Sequence, residues 1–72
     1  MNPLARTIKA TLAETPMQFG EVTDAHRAVP WREFLQTWGE LRRQNILKRD
    51  EIGRYYVEGG PAEAIAAATK AE

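Results

Sequence analysis

The stretch VPWREFLQTWGELRRQNILKR, residues 29–49, decides the fold. Trp31, Phe34, Leu35, Trp38 and Leu41 recur at helical spacing, the strongest periodicity in the chain, and predict a helix over 30–44. Pro30 suits its start, because the ring fixes φ near the helical value. Asn45 suits its end as a left-handed cap, with Ile46 packing back over the last turn. At about 100° per residue, Phe34, Trp38, Leu41 and Asn45 fall along one line, with Phe34, Trp38 and Leu41 on the buried rows. Trp31 lies about 50° off that line and Leu35 about 90° off it.

Upstream, Ala28-Val29-Pro30 breaks the preceding pattern. Phe19, Val22 and either Ala25 or His26 share a face, which predicts a short helix over 19–27 that Gly20 and Thr23 weaken. Met17-Gln18-Phe19 either extends or leads directly into it. A first helix is predicted over 3–14. Asn2 is its N-cap and Pro3 its first residue, while Leu4, Ile8, Thr11 and Leu12 form its apolar face. Pro16 stops it by pushing the residue before it out of the helical region.

Downstream, Ile46-Leu47-Lys48-Arg49 and Arg54-Tyr55-Tyr56-Val57 flank the Gly-containing loop Asp50-Glu51-Ile52-Gly53, which reads as a β-hairpin. Phe34 and Trp38 are expected in the core with Leu4, Ile8, Leu12, Val22, Leu41 and Leu47. Gly59-Gly60-Pro61 reads as a linker, so the ordered domain is set at 1–58. Residues 59–72 are expected to form a flexible, Ala-rich tail whose only large aliphatic group is Ile65.

Seventy-two residues fit one small module, and 43% hydrophobic with 28% charged types is a globular balance. With no cysteine there is neither a disulfide framework nor a thiolate metal site, and the single His26 excludes a histidine cluster. No cofactor is expected. No stretch approaches the roughly 20 apolar residues of a membrane span, and the N-terminus carries no secretory pattern. A cytoplasmic, one-domain protein is the expectation. Formal net charge is zero, yet residues 27–54 hold seven basic against four acidic groups, an excess of +3. That excess permits nucleic-acid binding without requiring it.

Helix, short helix, tight turn, longer helix and two-stranded hairpin is an order that resembles the winged helix-turn-helix family over residues 4–57. The fold class implied is mainly α with a small β-hairpin, three helices and a wing. The resemblance rests on Val29 in the turn, on Phe34, Trp38 and Leu41 in the helix, and on LRRQNILKR, residues 41–49. Asn45 stands there where the family usually has glycine. Gly53-Arg54-Tyr55-Tyr56-Val57 resembles the returning strand of the wing.

The resemblance implies that helix 30–44 enters the major groove of double-stranded DNA while wing 46–57 touches the backbone. Arg32 and Gln36 then become base readers, suited to guanine and adenine. Arg43 lies further along the same side, Lys48, Arg49 and Arg54 are expected on phosphates, and Arg27 anchors the second helix. The role implied is a small transcription regulator of the kind carried by phages and mobile elements, working as a homodimer or with a partner. Each arginine also has the plain reading of a solvated surface residue.

Trp31 and Leu35 open a rival reading, since these positions are mostly polar in DNA readers. They form an apolar strip at the core rim, touch thymine methyls, or anchor a protein partner such as host RNA polymerase. Glu33 and Glu40 would repel phosphate. Two other features read as structure rather than as sites. Asp50-Glu51 is a solvated turn, His26 is a helix-end or partly buried histidine, and the chain has little room for a substrate pocket. The protein is not expected to be an enzyme.

Overall fold

Pro16 governs how the first helix joins the rest of the fold. The computed structural model describes residues 3–70, with side chains to residue 68, so the capping role expected of Asn2 lies outside the described residues. Helix α1, Pro3–Glu14, buries Ala5, Ile8 and Leu12. The carbonyl of Leu12 would ordinarily accept from the amide of residue 16, but proline has no N–H to give. The Val57 N–H takes that place at 3.1 Å, joining the far end of the hairpin to the end of α1.

Met17 is extended, not helical. Its backbone pairs with Tyr55 in both directions, N–H to carbonyl, at 2.9 and 2.6 Å. Helix α2, Phe19–Ala25, follows, and the Glu21 carboxylate accepts the Gln18 backbone N–H at 2.9 Å to cap its start. It is shorter than the expected 19–27, because residues 26–28 form the turn that leads to Pro30. Helix α3, Trp31–Arg43, has Pro30 as its N-cap rather than its first residue, and the Pro30 carbonyl accepts from Phe34 at 3.0 Å.

The end of α3 forms as the sequence predicts. Asn45 has φ 58°, the Ile46 N–H reaches the Leu41 carbonyl and the Asn45 N–H reaches the Arg42 carbonyl, both at 3.1 Å. These two bonds are a Schellman cap, and Ile46 packs against the core behind it. Strands β1, Lys48–Arg49, and β2, Tyr55–Tyr56, then pair antiparallel, with Lys48 opposite Tyr56 and Arg49 opposite Tyr55. Among the described residues the architecture is thus mainly helical, with four helices and one small two-stranded sheet.

Aromatic rings line the seam between α3 and the other elements. Trp38 lies 5.8 Å from Phe34, 5.1 Å from Phe19 and 5.0 Å from Tyr55, the last two edge-on. Ala5, Ile8, Leu12, Val22, Leu41 and Val57 complete the core, with Leu4 and Leu47 partly buried against it.

The C-terminal segment differs from the expected tail. Pro61–Lys70 is helix α4, packed on α1 and β2, with Ala62 and Ala66 buried. Large side chains are unnecessary there, because small ones allow close approach. The glycine pair is accordingly a docking turn and not a linker. Gly59 has φ 101°, and a methyl group on Gly60 would sit 2.5 Å from the Ala13 carbonyl oxygen. The Glu63 carboxylate accepts the Gly59 N–H at 2.9 Å and fixes the start of α4. Ile65, on the outer side, is exposed.

Two stability predictions follow from this packing. Trp38→Ala should remove about 3–5 kcal/mol. The total available to a chain of this length is roughly 4–11 kcal/mol, so the cooperative melt should be nearly lost. Gly60→Ala should lower the melting temperature through overpacking of about 1–3 kcal/mol. Gly20→Ala is the control. No atom lies within 4 Å of its added methyl, so it should raise stability by about 0.5–1 kcal/mol.

Candidate nucleic-acid interface

With Phe34, Trp38 and Leu41 held in the core, the opposite side of α3 is turned to solvent. Arg32, Glu33, Gln36, Glu40 and Arg43 are exposed along it. The structure brings Arg32 and Gln36 together at the N-terminal half, one helical turn apart. Neither side chain has an ion pair or hydrogen bond among the described residues. The two residues expected to read bases are therefore both accessible and uncommitted.

The other expected cations divide by their partners. Arg27 pairs with Asp24 at 3.7 Å with both groups well exposed, a bond worth little in water. Arg43 pairs with Glu40 on the outer side of α3, which cancels both charges locally. On the hairpin, Lys48 has no such partner among the described residues. Arg49 lies over the Tyr55 ring, 5.1 Å from its centroid, and is otherwise exposed.

Arg54 differs from its expected place among the phosphate contacts. Its side chain is only 22% exposed, and its Nε donates to Asp50 Oδ2 at 2.7 Å. Asp50 in turn is not the solvated turn residue expected. Its Oδ1 accepts the backbone N–H groups of Ile52 and Arg54 at 3.1 and 2.8 Å, and its side chain is fully covered. Glu51 beside it is exposed, so the two carboxylates do point apart. The signal for this brace was present in the sequence: aspartate opening a four-residue turn that closes on glycine is a common side-chain-to-backbone cap. Gly53 closes the turn with φ 87° and an N–H donated to the Asp50 carbonyl at 3.1 Å.

Burial acts to raise the Asp50 carboxyl. The Arg54 backbone N–H, the Arg54 side chain and its charge, and the Ile52 N–H together outweigh it and hold the group below the ordinary carboxylate value.

Arg42 is a basic residue that the sequence reading did not single out. It is exposed, has no ion-pair partner among the described residues, and lies on the same flank of α3 as Leu35. Trp31 is 56% exposed and Leu35 42%. One face of the Trp31 ring stacks on Phe34, 5.8 Å away and 12° from parallel, so Trp31 partly belongs to the core rim. Leu35 has no ring to stack and is the less exposed of the two.

His26 is 8% exposed, and its Nδ1 donates to the Val22 carbonyl at 2.9 Å, which ties the helix end to the turn. No group of three or more metal-binding side chains occurs among the described residues, and none of their helices is long and apolar enough to cross a membrane.

Asp50 supplies a pH prediction whose sign follows from its lowered pKa. Its stabilising contribution is complete above the unfolded-state value, near 3.8, and is lost as the pH falls through the lower folded value. Acid titration followed by amide hydrogen exchange should therefore show Ile52 and Arg54 losing protection only at the acid extreme. Asp50→Ala, which removes the acceptor itself, should show that loss at neutral pH, with α3 still protected.

No family model, curated protein or solved structure matches this chain.

Proposed function

We propose that the chain is a winged helix-turn-helix module that binds double-stranded DNA and regulates transcription. The observation that carries this reading is the pair Arg32 and Gln36, free on the outer side of a helix whose other side is locked into the core. Their donors and acceptors suit guanine and adenine edges in the major groove. Lys48 and the exposed Arg49 on the hairpin supply phosphate contacts next to that helix. Arg27 and Arg43 contribute less, since each has an acid of its own. Arg54 acts indirectly, by bracing the hairpin.

One helix reading a few base pairs gives weak specificity, so the working form is a homodimer or a complex with another protein on the DNA. Such a compact regulator suits the cytoplasm of a phage or mobile-element host.

A second reading is favoured by one specific observation. Trp31 and Leu35 are large apolar side chains left substantially exposed next to the reading face. In that reading the module binds a host protein, with RNA polymerase the notable candidate, and the aromatic residue is its anchor.

Salt dependence separates the two. On DNA, affinity should fall steeply with salt, because neutralised phosphates release counterions. Lys48→Ala should weaken all sequences alike and reduce the logarithmic salt slope by about 1, whereas Arg32→Ala should also relax sequence preference. On a protein target, Trp31→Ala should abolish binding while the melt stays close to wild type, and salt should have a modest effect.

A further inference from the structure

Several of the acids near the candidate interface have an arginine beside them: Asp24 has Arg27, Glu40 has Arg43 and Asp50 has Arg54. On α3, Glu33 is different. It is exposed, and among the described residues its side chain has neither an ion pair nor a hydrogen bond. A bare carboxylate facing phosphates costs affinity at every sequence. Facing base edges, it meets a donor, because the N4 amino group of cytosine projects into the major groove and carboxylates accept from it.

The position of Glu33 suits the second arrangement. At about 100° per residue, Arg32 and Glu33 fall some 40° and 60° to either side of Gln36. All three belong to the first two turns of α3, and helical side chains lean toward the N-terminus. In a helix that enters the groove, those are the residues that reach the bases. The patch thus offers a donor fork, an amide that both donates and accepts, and an acceptor. That is a chemical complement to guanine, adenine and cytosine.

We propose that Glu33 is a specificity-determining residue that accepts from a cytosine amino group, beside Arg32 on guanine and Gln36 on adenine. The inference rests on the DNA reading and deepens it, by naming the class of duplex preferred. It also gives Glu33 a role beyond complementing the positive end of the helix dipole, which an acid in the first turn does anywhere.

The test is selection from a pool of short randomised duplexes with the wild type, Glu33→Gln and Arg32→Ala, each with its melting curve. The wild type should enrich a motif with one dominant cytosine. Glu33→Gln should lose about tenfold in discrimination at that position alone, and Arg32→Ala should lose a guanine elsewhere in the motif. Enrichment of an unchanged motif by Glu33→Gln would overturn the inference and leave Glu33 as a helix-end charge, with the DNA reading intact. A wild type that binds none of the pool at any salt concentration would overturn the DNA reading and this inference with it.

Discussion

The ring of Trp38 is the joint on which the rest of the structure depends. It brings together three separate stretches of chain: its own helix through Phe34, the start of α2 through Phe19, and the hairpin through Tyr55. Each such pair contributes about 0.5–1.5 kcal/mol beyond its burial, a large share of what a domain of this size can hold. The joint also fixes an orientation. Once Trp38, Phe34 and Leu41 face inward, Arg32 and Gln36 have no direction left but outward.

Backbone pairing supports the same arrangement from the other side. Tyr55 spends its N–H and carbonyl on Met17, Val57 gives its N–H to the carbonyl that Pro16 leaves open, and the Schellman cap at Asn45 turns the chain into β1. The hairpin is consequently tied to both ends of the segment 12–17 and to α3 through an aromatic contact. Within it, the covered Asp50–Arg54 pair holds the loop, so Lys48 and Arg49 project from a defined support. The chain carries zero net charge, yet its residues 27–54 hold a basic excess of +3, and Arg32, Lys48 and Arg49 lie within that stretch. The Arg43–Glu40 pair lies on the outer side of α3 beyond Gln36, while Arg32 and Lys48 have no ion-pair partner among the described residues.

Much of this was legible in the sequence because it depends on local chemistry. The apolar line of α3, the glycine-like role of Asn45 and the hairpin around Gly53 all express short-range rules, and each appears in the structure, the hairpin with shorter strands, 48–49 and 55–56, than the expected 46–49 and 54–57. What the sequence hid depends on chain segments meeting. The helix α4 was invisible because alanine looks like a weak core former until Gly60, close against Ala13, lets the helix pack on α1. Asp50 and Arg54 looked like solvated surface for a different reason: their pairing is local to one turn, and the Asp-to-Gly signal for it stood in the sequence unused. For the candidate interface, exposure of Arg32 and Gln36 followed from periodicity alone, but periodicity carries no information on which arginines have acids beside them.

The central claim is that the outer side of α3 and the hairpin form one DNA-binding surface. Amide chemical-shift mapping with a mixed-sequence duplex, at low and moderate salt, tests it most directly. The account predicts changes concentrated at residues 32–36 and 48–49, fading as salt rises, with α1 and α4 undisturbed. An absence of change at low salt, or changes confined to α1 and α4, would contradict it.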